Sequence, residues 1–248
     1  METLEGAARR LDLPPGYDLI ALRERGDAFA HACAIAGEAG AGAFVHVGRY
    51  DLVEFAVVLE PGEPLSGARR AFYAGMHALA EAIAAYCPPE RDVAFDWPGS
   101  ILFDAGLVGG GRLAWPQGCG EDDVPDWLVF GAMLRAADLG GPETGLAPNS
   151  TSLVAAGFEL VETQSIAESF ARHLMLAFDT WGERGFRGVG EAYLERLPKA
   201  EGEKRIIDAN GDLLVTAAGA SRPERRAFLP ALEACAWYDP ARAAPRRI

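Results

Sequence analysis

Residues Phe95 to Ala114 read FDWPGSILFDAGLVGGGRLA, and no other stretch limits the possible folds as much. A β-prone run reaches Trp97-Pro98, where proline removes a ladder donor and fixes its own backbone angle. A second short run meets Asp104-Ala105-Gly106, and a third passes through Gly109, Gly110 and Gly111 to Arg112. Strand, break, hairpin and glycine-rich strand in succession require antiparallel neighbours. Consecutive glycines weaken a strand unless close backbone approach or unusual angles are needed. They are therefore candidates for the floor of a ligand site.

The rest of the chain supplies partners for such a sheet. Tyr17–Leu22, Ala43–Val47, Asp51–Glu60 and Asp126–Arg135 are β-rich. Helical spacing of apolar residues predicts helices over Gly26–Glu38, Leu65–Tyr86, Ser165–Arg184 and Val189–Leu197, with a short one over Thr151–Gly157. Asp27 favours the start of the first. Residues Leu139–Ser150 are rich in glycine and proline and read as a loop. A boundary falls near Pro198–Gly202, after which Asn210-Gly211 between two β-prone runs signals a hairpin, and Trp237-Tyr238 is the expected anchor of the last segment.

Composition narrows the function. The chain has 248 residues, half of them apolar, enough for one ordinary core and a small appendage. Its net charge of −13 repels phosphate backbones, so nucleic acid is not an expected partner. No apolar run reaches the ~20 residues of a membrane helix, and METLEGAARRLDLPPGYD lacks the basic-then-apolar order of a signal peptide. Cys33, Cys87, Cys119 and Cys235 form no CxxC pair and read as reduced thiols of a cytoplasmic protein. His31, His46, His77 and His173 show no metal-ligand spacing, so no metal is expected; His46 reads as a core histidine.

The Trp97-Pro98 break followed by Leu107-Val108-Gly109-Gly110 resembles the signature of the biotin/lipoate protein ligases, a K-W-P-N-D string followed by a K-L-A-G-I-L-type strand. Element order from Tyr17 to Leu197 is similar too, and Leu153, Gly157, Phe178, Gly185 and Tyr193 fall on that family's later pattern. The resemblance implies an α/β (α+β) fold: a mixed, mostly antiparallel sheet flanked by helices, like class II aminoacyl-tRNA synthetases and biotin ligases. It implies a ligase-like domain over residues 1–198 and a small β-hairpin extension over 199–248. Its implied chemistry is activation of a small carboxylic acid, biotin or lipoate, by ATP, with transfer to a lysine of an acceptor protein. A homodimer is the implied assembly.

The residues that carry this chemistry in the family differ here. Asp96 stands where biotin ligases have lysine, and Leu107 where lipoate ligases have theirs; Gly99 and Ser100 replace Asn-Asp. Of the adenylate loop G-R-G-R-x-G only Gly48-Arg49 remains, and the only lysines of the chain are Lys199 and Lys204. Joining two anions needs fixed cations, and Arg49 and Arg112 are the best placed. Cys119 has acidic neighbours, which disfavour a nucleophilic thiolate.

The candidate ligand-binding set is thus Gly48, Arg49, Asp96, Trp97, Pro98, Gly99, Ser100, Gly109, Gly110, Gly111 and Arg112, with no catalytic residue assigned. Three readings stand: a divergent ligase, a non-catalytic homologue that binds a different small molecule, and an interaction protein.

Overall fold

A computed structural model describes residues 11–23, 26–89, 91–138 and 147–248, with side chains for all of these except 160–164. The N-terminal residues 1–10 and most of the glycine/proline-rich loop, 139–146, lie outside the described residues.

Seven strands form the main sheet: β1 (Asp18–Leu22), β2 (Ala43–Val47), β3 (Leu52–Leu59), β4 (Val93–Asp96), β5 (Ser100–Phe103), β6 (Gly106–Ala114) and β7 (Leu128–Arg135). Their spatial order is β1-β2-β3-β7-β6-β5-β4, and every pairing is antiparallel except β1 with β2. The central strands β3 and β7 are nearly unbroken apolar runs because both of their faces are covered. This is the mixed sheet expected from the sequence.

One face is covered by α1 (Ala28–Ala39), whose Ala28, Ala32 and Ala36 recur every fourth residue and let the helix lie close on Val45, Ala56 and Val129. Asp27 caps it, its carboxylate accepting the Ala30 N–H at 2.9 Å. The other face carries the main core, built with α2 (Leu65–Ala68), α3 (Ala71–Ala84), α4 (Leu160–Arg184) and α5 (Phe186–Glu195).

Three helix expectations are corrected. Leu65–Tyr86 is two helices, because the chain tightens at Arg69-Arg70, where Phe72 N–H bonds Arg69 O and Tyr73 N–H bonds Arg70 O. The buried Arg69 thereby reaches Glu121, and Arg70 reaches Glu63. Thr151–Gly157 forms turns: Gly157, at φ 99°, closes it on Val154 O. The helix expected from Val189 starts at Phe186, directly after Gly185 (φ 73°).

Beyond α5, β8 (Lys204–Ile207), β9 (Leu213–Thr216) and β10 (Glu224–Arg226) form a three-stranded sheet. Asn210-Gly211 sits in the loop joining the first two, with the Asp208 carboxylate accepting the N–H groups of Asn210 and Asp212 at 2.9 Å each. Then come α6 (Phe228–Ala234) and a short hairpin of β11 (Tyr238–Asp239) and β12 (Ala244–Pro245). Phe228 and Leu232 enter the main core. No described helix is long and apolar enough to cross a membrane.

Candidate functional site

Strand pairing puts six residues in one row across the sheet: Asp96 opposite Ser100, Ser100 opposite Gly110, Gly110 opposite Met133, Met133 opposite Glu54, and Glu54 opposite Val47. Directly paired residues of an antiparallel sheet share a face. Val47 lies under α1, so the row belongs to the α1 side. Arg112 sits in the next row, opposite Gly131, on which the ring of Phe29 from α1 rests.

Five charged groups, Glu54, Asp27, Asp51, Arg49 and Arg112, gather at the α1 end of this face. Glu54 is 2% exposed, and its carboxylate accepts the Ala28 N–H at 2.8 Å. Burial pushes its carboxyl above the ordinary glutamate range, Asp27 adding to the effect and the Ala28 N–H, Arg49 and Arg112 opposing it. The Arg112 guanidinium is held between two rings, 4.4 Å from the Phe29 centroid and 4.3 Å from that of Tyr238, with Asp27 at 3.4 Å. Arg49, next to Gly48, clasps Asp51 through two bonds of 2.8 and 2.5 Å, which holds the Asp51 carboxyl below its usual range despite partial burial.

The middle of the row is closed by the chain itself. A β-carbon on Gly110 would lie 2.6 Å from Nε1 of Trp237, which donates to Gly111 O at 3.1 Å. On the opposite face, a β-carbon on Gly111 would lie 2.6 Å from Met76 Sδ and 3.0 Å from the Phe130 ring. Gly109 is flush against the backbone of β7, 2.0 Å separating its ideal β-carbon from Met133 O. The three glycines thus make room for neighbouring strands, the core and Trp237. Below that indole a void of only about 10 Å³ remains, bordered by Pro98, Gly99, Ser100 and Gly111 among others.

The remaining candidates divide between the faces. Asp96 is exposed at the far end of the row. Trp97, one residue on, turns to the main core, stacking on Tyr73 at 5.9 Å and meeting Tyr193 and Phe228. The Trp97-Pro98 peptide is cis, and Pro98 O accepts the Tyr193 hydroxyl at 2.6 Å. So Arg49 and Arg112 share a neighbourhood with Glu54, while Gly110 meets Trp237 with Ser100 beside it in the row. Gly111 gives Trp237 its carbonyl but faces the core, Gly109 abuts β7, and Asp96 and Trp97 belong to neither group. Cys119 is remote from all of them, and its thiol is raised by desolvation and by Asp123, Asp126 and Glu121.

Two residues of the cluster were not singled out from sequence. Glu54 is a lone acid in the apolar run LVEFAVVL, a signal that was available. Phe29 carried none, being one apolar residue among many on a helix.

Among solved structures, the chain is similar to a biotin protein ligase-like protein of unknown function from Silicibacter sp. TM1040, with 24% identity and a TM-score of 0.75 over 91% of this chain and 99% of that one. The biotin protein ligase of Aquifex aeolicus, solved in complex with biotin and ATP, is 14% identical, with a TM-score of 0.62 over 84% of this chain and 95% of that one. That of Leishmania major in complex with biotin is 16% identical, with a TM-score of 0.56 over 86% and 99%. These likenesses establish the biotin-ligase type of fold. No curated protein is significantly similar in sequence. A family model matches residues 13–195, which hold all seven strands of the main sheet and the four larger helices α1, α3, α4 and α5, and by that match the chain belongs to the Biotin/lipoate A/B protein ligase family.

Proposed function

We propose that this protein binds a neutral or cationic small molecule on the α1 side of its sheet and does not form acyl-adenylates. The observation that carries this reading is Glu54. The N-terminus of a helix favours negative charge, and free N–H groups there can hold a phosphate or carboxylate. Here Glu54 already accepts the Ala28 N–H, and Asp27 accepts that of Ala30. The nearby guanidinium groups have carboxylate partners too, Arg112 with Asp27 and Arg49 with Asp51. Among the described residues, three carboxylates thus face two cations, an excess of one negative charge.

ATP and a carboxylic acid would bring further anions to this acidic cluster. Residues 1–198 contain no lysine to offset them. The residues present therefore do not fit an acyl-adenylate. Biotin, lipoate, an acceptor protein and ligase turnover belong to the second reading, a divergent ligase, which the family membership alone favours.

The two readings are separated by carboxylate-dependent exchange of pyrophosphate into ATP, with biotin, lipoate and octanoate as the acids. The expected result is no exchange above background and no thermal shift with ATP. Exchange at a rate useful for turnover would establish the ligase reading.

A further inference from the structure

We propose that Cys235–Ile248 is a detachable strap whose indole occupies a ring-sized site on the glycine floor of β6, so that this site accepts a planar ligand with an N–H donor only when the strap lifts. The inference deepens the binding reading above and rests on it for the identity of the face.

The site has the form of a ring receptor. Its floor is Gly110, where any side chain would collide with Trp237, and its acceptor is Gly111 O. Its walls are Leu107, Met133 and Leu52, which form with Trp237 an apolar cluster separate from the other two. This combination of flat backbone floor, apolar wall and one carbonyl selects a planar ring bearing one N–H. Trp237 is 2% exposed and meets each of these conditions.

The strap is held by little else that is buried. Within Cys235–Ile248 only Trp237 and Pro245 are buried. Half-buried Tyr238 lies over the Arg112 guanidinium at 4.3 Å, and the remaining anchors are polar. Arg135 donates to Pro245 O at 2.8 Å and Arg246 O at 3.1 Å, Asn149 N–H bonds Ile248 O at 2.9 Å, and Arg247 pairs with Asp138 at 2.8 Å. On lifting, Arg135 keeps Thr151 O at 3.1 Å and Asp138 at 3.9 Å, so its guanidinium retains partners. A segment with one large buried side chain, whose other bonds are exposed or part-buried apart from that of Arg135 to Pro245 O, is the kind that opens without global unfolding.

The test uses the full chain. Trp237→Ala empties the ring site, and millimolar indole is then expected to raise its melting temperature by about 2–4 °C while leaving the parent protein unmoved. A folded Trp237→Ala protein indifferent to indole overturns the proposal. If that variant does not fold, native-state hydrogen exchange on the parent decides. The amides of Arg246 and Asn149, bonded to Trp237 O and Ile248 O, are expected to exchange through an opening weaker than that releasing β3 and β7. Exchange of all of them only by global unfolding overturns it. Neither result bears on adenylate formation, which pyrophosphate exchange tests separately.

Discussion

Glu54 in the middle of β3 accepts the N–H of Ala28, the first residue of α1, across 2.8 Å, although 26 residues separate them in sequence. The bond ties the helix to the sheet and places a buried acid where the helix is most receptive to negative charge. Glu54→Gln keeps an acceptor and removes the charge, so the fold is expected to survive. Glu54→Ala leaves a buried N–H without a partner and is expected to cost about 1–3 kcal/mol in a urea melt. Because burial raises the Glu54 carboxyl, the native state holds that proton more tightly than the unfolded chain. Its contribution to stability therefore falls as pH rises upward from about 4.3. The Gln variant should lack that decline. It should also gain affinity for phosphate relative to the parent; a Gln variant that binds phosphate no better than the parent would count against the charge reading of the site.

The turn between β5 and β6 offers a stabilising change. Asp104 and Ala105 both have positive φ, 46° and 64°, as the two-residue hairpin loop requires. Alanine has no side-chain bond to compensate for that conformation, whereas glycine adopts it freely. Ala105→Gly is expected to raise stability by about 0.5–1 kcal/mol, read as a shift of the urea midpoint with an unchanged slope.

Two histidines are expected to contribute to loss of stability between about pH 6.5 and 5. Burial lowers the pKa of His46 on β2, with Glu168 opposing, and likewise that of His77 on α3, where Glu81 and Glu195 oppose it and Arg196 and His173 reinforce it. Nδ1 of His77 is buried without a hydrogen-bond partner. Both rings are favoured neutral in the native state, and the unfolded chain binds their protons more readily. The stability they contribute is complete above about 6.5 and is lost as pH falls through and below that value. His77→Gln should flatten the loss between roughly pH 6.5 and 5, measured by thermal melts across that range; an unchanged slope would assign the acid sensitivity to other groups.

The sheet was legible because its strands are compact apolar runs bounded by glycine and proline, and α1 because Asp27 precedes alanines at helical spacing. The tightened turn at Arg69-Arg70 was not, since both residues keep near-helical angles and the break serves ion pairs with Glu121 and Glu63 elsewhere in the chain. The site was legible only in part. The glycines of β6 announced a close approach, but the approaching ring is Trp237, 126 residues away from the carbonyl it bonds. Trp97 and Asp96 are neighbours in sequence, and strand alternation sends them to opposite faces. Charge could be counted from the sequence, while the pairing of each arginine with its own acid needed coordinates.

That pairing bears on what a lysine at position 96 would do. A lysine there would stand at the exposed end of the row that runs through Ser100, Gly110 and Met133 to Glu54. Four strand spacings separate the ends, roughly 19 Å, and Trp237 covers the middle. A lysine side chain spans about a third of that distance, so its ammonium could not offset the carboxylates of Glu54 and Asp27. Asp96→Lys alone is therefore expected to show no carboxylate-dependent pyrophosphate exchange. Combining it with Glu54→Gln and Trp237→Ala removes the excess negative charge and uncovers the row, so ATP should then produce a thermal shift in the triple variant that neither Asp96→Lys nor the parent shows. If Asp96→Lys by itself turned over ATP, the acids at the start of α1 would not be the barrier, and position 96 would be the one that silences the site.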